Sequence, residues 1–150
     1  MNHLEQEAED LHRQFAAGDP SIFNAHLTFS LNNFSARLSD LGHHEHALEV
    51  SREAVDLFRH LAASRPSVFN AGLASSLNGL SARLAHLGHH DHALEVSREA
   101  VNLFRRLAAS HPSIFNAGLA SSLNGLSARL AHLGHHEHAL EVNREAANFR

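Results

Sequence analysis

The residues best equipped for chemistry in this chain are histidines. Sixteen occur among 150 residues, beside 12 lysines and arginines, 16 acids and no cysteine. Nine of them fall in three copies of one decapeptide: LGHHEHALEV at 41–50, LGHHDHALEV at 87–96 and LGHHEHALEV at 133–142. Imidazole nitrogen suits zinc, nickel and copper. With the histidine just upstream of each later copy, His86, His89, His90 and His92 form one candidate metal quartet. His132, His135, His136 and His138 form the other. Imidazole also titrates near neutrality, and protonating all sixteen would move the formal net charge from −4 to +12. Metal binding and a response to pH are therefore the two chemistries on offer.

A plainer reading competes with both. Gly88 is placed to end one helix, and Asp91 to open the next, where exposed N–H groups and the positive dipole end favour an acid. Glu45 and Glu137 repeat that role. A bound cation is opposed by the same dipole, and a zinc site made of protein ligands alone needs a tetrahedral cage that a tight turn rarely supplies. The expectation is that no cofactor is required and that zinc or nickel binds adventitiously. His90 reads as a half-buried filler of the turn.

The elements that position these turns come from a 46-residue repeat. Residues 47–92 and 93–138 align without a gap and differ only at Asp56/Asn102, His60/Arg106, Arg65/His111, Val68/Ile114 and Asp91/Glu137. Pro20, Pro66 and Pro112 share the spacing, and a more divergent copy precedes them. Leu73, Leu77, Leu80, Leu84 and Leu87 lie 4, 3, 4 and 3 apart, one apolar stripe at helical period. A second, broader stripe runs from Ala93 to Ala108, after which Pro112 and the SIFN segment read as a break. No segment alternates with period 2. The chain reads as one repeat domain, 1–150: an unpaired leading helix in 1–19, then helix pairs in 20–65, 66–111 and 112–150. One pair cannot bury its stripe alone, so the pairs must stack.

These residues resemble the tetratricopeptide repeat, in the long form found in kinesin light chains and fungal multi-repeat proteins. Ala93 falls on the family's small residue at the start of the second helix, Leu77, Leu80 and Leu84 on its large apolar positions, and Ala100 on its second small position. Ser81 stands where the family prefers glycine, and Ser97 where it prefers an aromatic. The resemblance implies an all-α, right-handed solenoid of about seven antiparallel helices. It also implies a concave groove, lined by the first helix of each pair, that binds an extended peptide or protein partner. Carried over by position, the groove holds Asn32, Asn78 and Asn124, with Phe29, Ala36, Ser39 and Asp40 in the first repeat. The later repeats add Ser75, Ala82, Ala85 and His86, then Ser121, Ala128, Ala131 and His132. An asparagine amide both donates and accepts, so it can clamp a peptide backbone.

Other functions are disfavoured. Serine and histidine recur at repeat spacing, whereas catalysis needs one asymmetric constellation. Gly79 and Gly125 lie in helical stretches, not in phosphate-binding loops. No basic block marks a nucleic-acid surface, and no apolar run is long enough for a membrane span. A cytoplasmic, non-enzymatic interaction module is the expectation, consistent with the absence of cysteine. The alternatives are a homo-oligomer docking through exposed helical ends, and a histidine-rich metal or pH responder.

Overall fold

The computed structural model describes Gln6 and residues 20–149, with side chains at Gln6 and from His26 onward. Six α-helices and no strand occur among these residues: α1 (Pro20–Asp40), α2 (His44–Ser64), α3 (Pro66–His86), α4 (His90–Ser110), α5 (Pro112–His132) and α6 (His136–Ala147). The expected leading helix near residues 3–17 lies, but for Gln6, outside the described residues. Helices α1 to α5 each have 21 residues, or about 31 Å at 1.5 Å per residue.

The helix boundaries keep the period of the sequence. Pro20, Pro66 and Pro112 each open a helix. The helix before Pro112 ends at Ser110, where the break was expected, but the SIFN segment is itself helical: Ser113–Asn116 form the first turn of α5. Proline ends the helix before it, but at the first helical position its missing N–H costs nothing and its fixed φ is already helical. A single residue therefore joins successive pairs. Arg65 (φ −137°, ψ 72°) links α2 to α3, and His111 (φ −139°, ψ 72°) links α4 to α5.

Within each pair the turn is closed by glycine. Gly42, Gly88 and Gly134 have φ of 85°, 83° and 84°, a left-handed conformation that glycine adopts without steric cost. The N–H of Gly88 donates to Ala85 O at 3.0 Å and that of His89 to Leu84 O at 2.9 Å; Gly42 and Gly134 head the same arrangement. These are the paired bonds of a Schellman ending, which satisfy carbonyls the helix leaves free.

The chain packs as two compact units, Met1–Ser76 and Leu77–Arg150, with the boundary inside α3. In a stacked repeat each helix meets only its neighbours, so residues gather around no single centre. In the first unit Leu27 and Leu31 of α1, Ala47, Val50 and Phe58 of α2, and Leu73 of α3 are buried. In the second, Leu77, Leu80 and Leu84 of α3 are buried with Phe104 of α4, Leu123 and Leu130 of α5 and Val142 of α6. Both stripes thus face inward as their spacing requires. Alanine and glycine let the helices approach closely. A Cβ on Gly118 of α5 would lie 2.7 Å from the Phe104 ring of α4.

Serine replaces glycine at one family position for a visible reason. The buried Ser35 and Ser81 donate to Ala47 O at 3.0 Å and Ala93 O at 2.9 Å, and the half-buried Ser127 donates to Ala139 O at 2.8 Å. Ser51, at an expected aromatic position, lies 2.8 Å from Ser35. Each hydroxyl ties the first helix of a pair to the first turn of the second.

Candidate functional site

The histidine turns do not assemble into cages. Among the described residues, no group of three His, Asp or Glu side chains is placed to hold a metal ion. His89 and His135 are N-caps whose side chains make no capping bond. His86, His89, His92, His132, His135, His136 and His138 are exposed. His90 and His92 are two residues apart on one helix, about 200° around its axis, and so point to different sides. His90 is half-buried, as expected of a filler, and its ring stacks on His132 at 5.0 Å and 9°. Its Nδ1 is buried without a hydrogen bond. In the first turn His44 Nδ1 instead meets Ser39 Oγ at 3.2 Å. Ser39 is buried, which corrects its placement on the ligand face.

The expected asparagine ladder is not presented evenly. In the second unit Ser122 Oγ donates to Asn78 Oδ1 at 2.9 Å, so this amide is used in the joint between α3 and α5. Arg129 Nη1 supports the same joint by donating to Ser81 O at 3.4 Å. Burial lowers the Arg129 pKa from its ordinary value; arginine remains charged all the same. Asn124 Oδ1 is buried and unpartnered. Ser121 is exposed.

In the first unit Asn32 opens into a cavity of about 610 Å³. Thr28, Phe29, Asn32 and Asn33 of α1 form one wall, and Ala71, Gly72 and Ser75 of α3 form the other. Residues 28 and 32, and 29 and 33, are four apart and therefore stack along the helix. The lining carries no ionisable group. Phe29 is 71% exposed, an unusual state for a ring of that size. Position matching identified Phe29, Asn32 and Ser75. It missed Thr28, Asn33, Ala71 and Gly72. A signal was available for the first two, which differ from their equivalents Ala74 and Gly79; Ala71 and Gly72 recur unchanged as Ala117 and Gly118 and carry none.

Consecutive helix pairs, glycine-closed turns and a groove walled by first helices define a helical-repeat protein. The model of the family described as tetratricopeptide repeat matches residues 30–62 and 73–113, and the chain belongs to that family. Such repeats generally mediate interaction between proteins. No curated protein matches the sequence. No described helix is long and apolar enough to cross a membrane.

Proposed function

We propose that this protein is a non-enzymatic interaction module that holds an extended segment of a peptide or protein partner in the groove between α1 and α3. The observation that carries this reading is the cavity itself. Its volume lies in the range of ligand sites, one wall offers amides and a hydroxyl, and the other is small enough to admit a chain. Asn32 and Asn33 supply donors and acceptors that suit a peptide backbone whatever its side chains.

The test is selection from a phage-displayed random peptide library against the whole chain, followed by titration of the selected peptides. Ser75→Trp should fill the cavity and abolish their binding, while the helical spectrum and melting midpoint stay close to those of the parent. Peptides that bind Ser75→Trp as tightly as the parent place the site elsewhere and end the groove reading.

A further inference from the structure

The repeats are most alike where they build the fold, and part of what sets the first apart lies in the groove. Helices α3 and α5 share 20 of 21 residues, differing only at Val68/Ile114. Helix α1 departs from α3 at eight positions: 22, 26, 28, 29, 33, 34, 39 and 40. Three of these, Thr28, Phe29 and Asn33, are three of the four α1 residues that line the cavity. Their equivalents are Ala74, Ser75 and Gly79 in α3, and Ala120, Ser121 and Gly125 in α5. The first repeat thus adds a hydroxyl, a ring and a second amide to a wall that is otherwise small. The ring is left exposed, and no core packing accounts for it.

From this we infer that the first repeat is a selective subsite, with Phe29 and Asn33 as its specificity-determining residues. Its ligand is an uncharged extended segment bearing an aromatic or large aliphatic side chain. This rests on the groove reading above and narrows it. The apolar side chain packs on the Phe29 ring across from Ala71 and Gly72, where the absence of bulk on α3 leaves room. The ligand backbone runs past Asn32 and Asn33. The seven residues that line the cavity include no ionisable group, so a carboxylate or ammonium placed there gains no ion pair and charged segments are not favoured. Arg37 stands with Phe29 and Asn33 only in an adjoining cavity. Later repeats, with serine and glycine in place of Phe29 and Asn33, offer neither the ring nor the second amide.

The experiment compares three proteins with the peptides selected from the random library. The first is the parent, the second Phe29→Ser with Asn33→Gly, which gives α1 the residues of the other repeats, and the third Phe29→Ser with Asn33→Ala, which avoids a new helical glycine. The selected peptides should be uncharged with an aromatic or large aliphatic residue, and both double variants should bind them at least about tenfold more weakly. Replacing that residue with aspartate or lysine in the peptide should cost the parent a similar factor. Selected peptides that are strongly charged, or that bind the double variants unchanged yet are blocked by Ser75→Trp, overturn the subsite and leave the groove standing. Peptides insensitive to all of these substitutions overturn both.

Discussion

At the scale of single residues, glycine makes opposite contributions at two positions of α5. Gly118 faces the Phe104 ring so closely that an added Cβ would sit 2.7 Å from it, whereas a Cβ on Gly125 meets nothing within 4 Å. Gly118→Ala is expected to lower stability by about 1–3 kcal/mol, the usual cost of overpacking. Gly125→Ala is expected to raise it by about 0.5–1 kcal/mol, because alanine favours the helix and restricts the unfolded chain. Adding Phe104→Leu to Gly118→Ala should recover part of the loss. Urea melts of the four proteins decide the matter; equal signs for the two glycine variants would contradict the close approach of α4 and α5. Ser81 gives a second test. Its buried hydroxyl bonds Ala93 O, so Ser81→Ala should cost about 1 kcal/mol. Ser81→Gly, which installs the family's residue, should cost about 0.5–1 kcal/mol more through the helix interior.

Turns and helices set the next scale. Gly88 holds φ at 83°, where a side chain is strained, so Gly88→Ala should destabilise by about 1–2 kcal/mol. Gly88→Asn should cost less, since asparagine tolerates that region better. A melt in which the two variants coincide with the parent would mean that the turn relaxes freely. These endings were legible in the sequence because glycine follows the last apolar residue in each copy. The pair boundaries at Pro66 and Pro112 were legible too, through the 46-residue spacing of the prolines. The helical state of the residues right after each proline was not, because proline is read first as a breaker, and only the geometry shows it occupying the first helical position. Helical stripes such as Leu73 to Leu84 were legible because burial imposes their period. The stacking of His90 on His132 was not, since it joins residues far apart in the chain through a packing that no local spacing encodes.

For the whole molecule, repetition explains both what sequence reading found and what it missed. A period of 46 residues fixed the number of helix pairs and their order within the described chain. The same uniformity hid the groove. Matching by position treats Asn32, Asn78 and Asn124 as equals, yet Asn78 is engaged by Ser122, Asn124 Oδ1 is buried, and Asn32 lines the cavity. The informative residues are those that depart from the period, Phe29 and Asn33, because folding does not demand them.

The one-residue links at Arg65 and His111 also bear on how such a chain can change in length. Since every link, glycine turn and serine clamp recurs in phase, excising a window of one full period that begins within residues 47–93 joins residues that already neighbour one another elsewhere in the chain. Removing residues 47–92 fuses His46 to Ala93 and recreates the junction HHEHALEV, which the chain carries at 43–50. The product, 46 residues shorter than the parent 150, should remain helical and melt cooperatively, at a lower midpoint because neighbouring repeats stabilise one another. An excision of half a period would instead set two helices of the same kind side by side, and that product should lack a sharp melt. Copy number is then a variable that recombination between near-identical segments can alter in whole steps; α1 is kept, and the cavity wall lost with Ala71, Gly72 and Ser75 is replaced by the equivalent Ala117, Gly118 and Ser121.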